Sequence, residues 1–381
     1  MRTQLKTKQQ LENNFTQCVG RLGEPYSAPK FSRPIRLNLR ELVPDFRNLL
    51  KNLKIYSLSL GLGTYPNTLA LVEDIARKYQ LTESNIVVTA GGDDALWQII
   101  QAMIEPGRNL VVATPTFAMI SRYVIMAGGE MRTVLWLDGE FPLDEFLKRI
   151  DENTGIILFV SPNNPTGRTV LLSIIQSVRK KCPRAVLVLD GVYLEYADQD
   201  ITSDFLSLPG TLVIRSFSKS YGVPGLRVGY AMSRYAEIIK AMKTIGQPYP
   251  VSLMSIKFAQ ALLLPENEAK FRSAREVVKQ NVRLFMQVLE CLNIDYLPSD
   301  ANFVFVRLAS DKNAMQLYGL LVDQGIFVRS FENDPLISTC LCIGVPYEKN
   351  EIRFLITALQ GIYAHQDSLS GAMSDAFKEV L

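Results

Sequence analysis

Histidine is almost missing from this chain of 381 residues, which has only His365, near the C-terminus. Serine or cysteine nucleophiles activated by imidazole would all have to depend on that residue, and a zinc site built from several imidazoles is excluded. Charge of one sign is lacking too. The 41 Lys and Arg nearly balance the 38 Asp and Glu, leaving a formal +3, which argues against a nucleic-acid binder that works by neutralising phosphates. No apolar run is long and dry enough to span a bilayer, and the opening Met1-Arg2-Thr3-Gln4-Leu5-Lys6 carries no apolar signal core. The five cysteines, Cys18, Cys182, Cys291, Cys340 and Cys342, are odd in number and form no C-x-x-C pair. They read as reduced thiols, so a cytoplasmic protein with no membrane partner is expected. Any proton chemistry must come from Lys, Tyr, Asp or Glu, or from a cofactor.

What is present is enough apolar material for a large core, 48% hydrophobic residues against 21% charged, and a length that suits two domains or one large α/β unit. Residues 1–45, polar and punctuated by Pro25, Pro29 and Pro34, read as an extended N-terminal arm. Over 46–248, short apolar runs recur at Ile86-Val88, Leu110-Ala113, Met131-Leu137, Ile156-Val160, Ala185-Leu189, Leu212-Ile214 and Val228-Ala231, with helical-period stretches such as Asp94-Ile104 and Leu171-Lys181 between them. That alternation implies a mostly parallel sheet covered on both faces, with ligands beyond the carboxyl ends of its strands. Over 249–381 the rhythm changes to a long charged helix (Glu266-Cys291), a strand (Asn302-Val306), a helix (Lys312-Gln324), strands near Ile326-Val328 and Leu341-Ile343, and a helix Lys349-Tyr363. This is the α+β pattern of a smaller C-terminal domain. The tail 366–381 reads equally as a final helix or a frayed end.

Three segments placed just past strands could carry chemistry. Ser161-Pro162-Asn163-Asn164-Pro165-Thr166-Gly167 makes a sharp turn that would hold the Asn164 amide in the crevice, or is simply a tight strand-to-helix loop. Asp190, after five apolar residues and three before Tyr193, is either a helix cap or a charge set to meet a cation. Ser216-Phe217-Ser218-Lys219-Ser220 offers a lysine that desolvation could turn into a nucleophile, or one that stays solvated, with Gly225-Leu226-Arg227 beyond it.

Taken in order, Asn164, Asp190, Lys219 and Arg227 resemble the signature of fold-type I pyridoxal-phosphate enzymes, and within them the histidinol-phosphate aminotransferase branch of the class I and II aminotransferases. The likeness also rests on Tyr65-Pro66, Ala90-Gly91-Gly92-Asp93-Asp94, Pro115-Thr116-Phe117, Asp190-Gly191-Val192-Tyr193 and Gly225-Leu226-Arg227-Val228-Gly229-Tyr230. It implies an α/β fold with a mostly parallel seven-stranded sheet in a large domain and a smaller α+β domain. It implies bound pyridoxal 5'-phosphate, a small-molecule amino donor, a 2-oxo acid acceptor and a homodimer. By the same resemblance Lys219 carries the cofactor and shuttles the proton, Asp190 pairs with the pyridinium nitrogen, Asn164 and Tyr193 meet the ring oxygen, and Phe117 stacks on the ring. Gly92, Asp93, Ser216, Ser218 and Arg227 would surround the phosphate, with Tyr65 reaching the phosphate of the neighbouring subunit.

The likeness breaks in two places. Where the family has the arginine of a Leu-Arg-Ile-x-Ile-Gly string, this chain reads Thr339-Cys340-Leu341-Cys342-Ile343-Gly344, and a neutral thiol cannot grip a carboxylate. The segment Arg40-Glu41-Leu42-Val43 also replaces the usual Asn-Glu-Asn-Pro. Arg329, in Gly325-Ile326-Phe327-Val328-Arg329, is retained and is the expected substrate-binding residue, with Arg36 and Arg40 as other candidates for the carboxylate. The expectation is an aminotransferase acting on an amino acid or amino-acid-derived amine. Its alternatives are a decarboxylase or lyase and, last, a non-catalytic cofactor-binding regulator.

Overall fold

The computed structural model describes residues 35–37 and 61–363, with backbone alone at Ile35 and Arg36. Most of the expected arm, the Arg40-Val43 segment, His365 and the 366–381 tail lie outside the described residues. A short strand β1 (Ile35–Arg36) comes first, then helix α1 (Leu69–Tyr79). Strands and helices then alternate: β2 (Ile86–Thr89), α2 (Gly92–Met103), β3 (Asn109–Thr114), α3 (Met119–Met126), β4 (Glu130–Leu135), α4 (Leu143–Lys148) and β5 (Thr154–Val160). The alternation continues with α5 (Leu172–Lys181), β6 (Val186–Asp190), α6 (Thr202–Ser207), β7 (Thr211–Ser216), β8 (Gly229–Met232) and α7 (Ala236–Ile245).

These seven longer strands form one sheet in the order β2-β8-β7-β6-β5-β3-β4. Every pairing is parallel except those of β8, which runs antiparallel to both β2 and β7. The central strands β5, β6 and β7 are buried at every residue, and their alternate side chains enter two separate cores. Ile157, Phe159, Leu187, Leu189 and Val213 join residues of α1, α4 and α5 on one face; Ile156, Leu158, Val186, Val188, Leu212 and Ile214 join α2, α3 and α7 on the other. That double burial explains their unbroken apolar runs. The edge strand β4 is half exposed and stops at Leu135, two residues before the expected end, its last ladder bond running from Trp136 N–H to Thr114 O at 2.7 Å.

Helix α8 (Leu253–Leu262) leads into α9 (Pro265–Cys291). Pro265 at the first helical position and Glu266 and Glu268 in the first turn suit a helix start. At 27 residues α9 is about 40 Å long. Phe271, in its first half, joins the core of the seven-stranded sheet, while Val278, Val282, Phe285, Val288 and Leu289 join a third core. That core is built on a four-stranded sheet, β12-β13-β10-β9, made of β9 (Asp295–Leu297), β10 (Phe303–Arg307), β12 (Arg329–Ser330) and β13 (Cys340–Gly344). Helices α10 (Asp311–Asp323) and α11 (Lys349–Tyr363) pack on it. The apolar run at 326–328 is split: β11 (Ile326–Phe327) pairs in parallel with β1, and Arg329 starts the strand that joins β13. The expected arm is therefore anchored at its end, where Leu37 N–H donates to Phe327 O at 2.9 Å and Leu37 O accepts from Gly344 N at 3.0 Å.

Candidate active site

The loop from β2 into α2 turns on Gly91, whose φ of 91° is open to glycine and strained for other residues. Asp94 holds the helix start by accepting from Ala90 N at 2.8 Å. Arg227 reaches this loop from the other side: Nη2 stands 3.6 Å from Asp93 Oδ2 and donates to Ala90 O at 3.5 Å, while Nη1 donates to Ser218 Oγ at 3.5 Å. A Cβ on Gly91 would lie 2.7 Å from Arg227 Nη2, and one on Gly229 would lie 2.5 Å from Gly91 C. The second approach, against backbone, needs glycine, and at Gly91 the positive φ does. Ser216, the last residue of β7, accepts from Ser218 N at 3.1 Å. The structure thus gathers Gly92, Asp93, Ser216, Ser218 and Arg227 around the amino end of α2, which offers hydroxyls, a guanidinium and the positive end of a helix to an anion.

Lys219 and Asp190 adjoin this cradle. Lys219 sits in the turn after β7 with Nζ 6.0 Å from the centre of the Tyr193 ring. Loss of solvent pushes the Asp93 carboxyl above its usual range, and the charges of Arg227 and Lys219 draw it back down. Asp190 ends β6 and is 6% exposed. Burial pushes its carboxyl up to about 7, against the Val192 N–H that donates to Oδ1 at 3.2 Å, and the charge of Asp93 adds to the rise. A buried carboxylate of this kind is ready for a cationic partner. The donor cradle and this carboxylate fit the two ends of pyridoxal phosphate, its phosphate and its ring nitrogen.

Asn164 and Phe117 lie half-buried in two loops that form one unit. The tie between them is Asn163: its Nδ2 donates to Pro115 O at 2.9 Å and to Thr166 Oγ1 at 2.8 Å. Sequence reasoning passed over Asn163 in favour of its neighbour, although a doubled Asn in a Pro-bounded turn was a signal that one of them serves the loop itself. Tyr196 was missed too. Three residues after Tyr193, it is buried and its hydroxyl donates to Lys219 O at 3.0 Å.

The four-stranded sheet presents one face to these loops. Cys342 Sγ donates to Pro165 O at 3.8 Å, Asp300 N donates to Gly167 O at 2.9 Å, and the Tyr193 ring meets Phe303 edge-on at 5.1 Å. Arg329 is the register partner of Cys342, so it shares that face. Its guanidinium lies 5.2 Å from the Phe331 ring centre. Cys340 is buried, its thiol pushed up by that burial, and stands opposite Arg307. Arg307 is bound by Asp138 and, through Nε at 2.8 Å, by Asp295. Tyr65 is apart from all of these, 76% exposed and stacked on Tyr249 at 4.4 Å.

Residues 44–359 match the family model for aminotransferase class I and II. The chain is 28% identical over 337 residues to a histidinol-phosphate aminotransferase of Ruminiclostridium cellulolyticum, covering 86% of this chain and 93% of that protein. It is 33% identical over 276 residues to the enzyme of the same name from Geobacillus thermodenitrificans, covering 71% and 74%. Among solved structures, the histidinol-phosphate aminotransferase of Sinorhizobium meliloti in complex with pyridoxal-5'-phosphate superposes with a TM-score of 0.81 at 24% identity, covering 93% of this chain and 98% of that one. An L-threonine-O-3-phosphate decarboxylase from Porphyromonas gingivalis superposes with a TM-score of 0.72 at 23% identity, covering 86% and 99%.

Proposed function

The chain belongs to the class I and II aminotransferase family, and from that premise we propose that it transfers the amino group of an amino acid or amino-acid-derived amine to a 2-oxo acid, as a cytoplasmic homodimer with Lys219 at the centre of the site. It is an aminotransferase that depends on pyridoxal 5'-phosphate. Bound in the crevice, the cofactor supplies the electron sink that lets the substrate's Cα–H bond break.

The observation that carries the residue roles is the buried Asp190 carboxyl at the end of β6, raised to about 7, beside a donor cradle and a lysine. Asp190 holds a proton on the ring nitrogen by its charge. Lys219 would hold the cofactor at rest and, once displaced by the substrate amine, would carry the proton at Nζ from the substrate's Cα to the cofactor's C4′. Gly92 and Asp93 N–H groups, the Ser216 and Ser218 hydroxyls and Arg227 hold the phosphate, while Asn164 and Tyr193 meet the ring oxygen and Phe117 covers a face of the ring. Arg329 holds the substrate's anionic group, since Cys340 is neutral. Tyr65 completes the site of the neighbouring subunit; its exposure and that of Leu62, Leu69 and Tyr249 support a face that a second copy covers.

Purified protein should absorb in the visible, and borohydride should fix the cofactor to the peptide containing Lys219. Amino-group transfer to 2-oxoglutarate from a panel that includes histidinol phosphate and common amino acids supports the reading. Cys340 favours one other reading, a decarboxylase or lyase whose substrate carboxylate is not clamped, and carbon dioxide or ammonia released without any acceptor would replace the first reading with it.

A further inference from the structure

We propose that Tyr196 and Arg275 are positioning residues for Lys219, clamping the backbone of its turn from two sides so that Nζ keeps its place in the crevice. The inference rests on the reading that Lys219 carries the cofactor. The turn has little regular structure of its own, yet three successive residues in it are each held by a side chain from another element. Lys219 O accepts from the Tyr196 hydroxyl at 3.0 Å, Ser220 O accepts from Arg275 Nη1 at 3.4 Å, and the Tyr221 hydroxyl accepts from Lys78 Nζ at 3.1 Å and donates to the Glu268 carboxylate.

The clamp is itself held in place. Arg275 is buried, its Nη2 stands 3.0 Å from Glu268 Oε1, and its guanidinium lies 5.5 Å from the Tyr221 ring centre. Burial alone would weaken its hold on a proton, but Glu195 and Glu268 more than offset that. Burial likewise disfavours charge on Glu268, and Lys78, Tyr221 and Arg275 outweigh it. Alongside, the fully buried Arg215 pairs with Glu195 and Asp200, each at 3.0 Å. Buried ion pairs are poor sources of stability compared with apolar packing. Their directional bonds to the lysine's own turn give this cluster a different use, which is to fix a backbone.

Arg275 also sits where α9 passes between cores, with Phe271 of one core before it and Val278 and Val282 of the other after it. One rigid helix therefore sets both the Lys219 turn and the four-stranded sheet that carries Arg329. The Tyr193 ring, 6.0 Å from Nζ, and the Asp93 carboxyl, which feels its charge, would both register any displacement of the turn.

The test uses the holoprotein and the variants Tyr196→Phe, Arg275→Met and Arg275→Lys, with Arg283→Met as a control further along α9. Wild type must first show the visible band and the borohydride label at Lys219; their absence would refute the underlying reading rather than the clamp. In folded Tyr196→Phe and Arg275→Met, the midpoint of the band's pH titration should move by about 0.3 unit or more, and loss of cofactor to a carbonyl scavenger should speed up about fivefold or more. Arg275→Lys should recover part of both changes, and the control should match wild type. Melting temperatures report folding, and if Arg275→Met does not fold, Tyr196→Phe and Arg275→Lys decide. A lower melting temperature with midpoint and release rate both at wild-type values would overturn the proposal.

Discussion

Replacing Asp190 by Asn turns the most displaced carboxyl of the site into a measurement. Its rise from 3.8 to about 7 corresponds to about 4 kcal/mol between the two protonation states. The folded-state value lies above the unfolded one, so the folded chain binds the proton more tightly. Stability is undiminished below the unfolded value, falls as pH rises, and reaches its full loss above about 7. Asn keeps an oxygen for the Val192 N–H at 3.2 Å and removes the titration. In cofactor-free protein the stability gain of Asp190→Asn over wild type should therefore grow from about 2 kcal/mol at pH 5 to about 4 kcal/mol at pH 8. Urea unfolding of both proteins at the two pH values measures it. With cofactor bound the order should reverse, because the variant loses the charge that meets the ring nitrogen. A gap that is the same at pH 5 and pH 8 would refute the argument that burial holds this carboxyl at a high value.

Arg227→Gln should raise the cofactor dissociation constant by roughly tenfold to a hundredfold, the loss of a charge-assisted contact, as read by titrating cofactor-free protein; unchanged affinity would remove Arg227 from the phosphate site. Arg329→Ala should raise KM for the amino donor severely and leave the cofactor's spectrum intact, whereas an unchanged KM would dismiss Arg329 as the holder of the substrate anion. Coexpressed Lys219→Ala and Tyr65→Ala chains should regain activity in hybrid dimers, where one site has both native residues, and hybrids that form without activity would show that Tyr65 does not serve the neighbouring site. Cys340→Arg should lower the melting temperature without lowering KM, because the new cation would be set opposite Arg307.

The alternation of runs was enough to read the seven-stranded sheet, since strands buried on both faces carry apolar runs, as β5 does from Ile156 to Val160. The direction of β8 was not legible. Val228-Gly229-Tyr230-Ala231 reads like any buried strand, and only its place between β2 and β7 makes it antiparallel. The residues now grouped about Arg227 were named through the resemblance that their strings carry; Gly92, Asp93 and Ser218 stand just past strands, where such sheets bind ligands, while Ser216 ends β7 and Arg227 precedes β8. Tyr196, Asn163 and Arg275 were illegible for a common reason. Each acts by bonding the backbone of another segment, Lys219 O, Pro115 O and Ser220 O respectively, and a main-chain partner leaves no residue type in the sequence to point to it. Arg275 was further hidden by its setting in a charged helix, where an arginine normally reads as part of a solvated face.

Cys340, where the resemblance leads one to expect an arginine, belongs with the rest of the β13 face rather than standing alone. Side chains at 340, 342 and 344 point the same way. At Gly344 that face is closed by residue 37, since a Cβ would lie 2.3 Å from Leu37 O. At Cys342 it is closed by Pro165. At Cys340 the neighbour across the ladder is Arg307, already drawn to Asp138 on the seven-stranded side and to Asp295 on its own sheet. A second guanidinium there would be set beside that cation in the space of a residue only 4% exposed, which a small neutral thiol fills. In the function proposed above the cation comes from the adjacent strand, where Arg329, opposite Cys342 in register, stands one step nearer the Asn164 loop than Cys340 does. On that proposed reading the substrate's anionic group is met from β12 rather than β13, and the effect of Arg329→Ala on KM for the amino donor decides between the two strands.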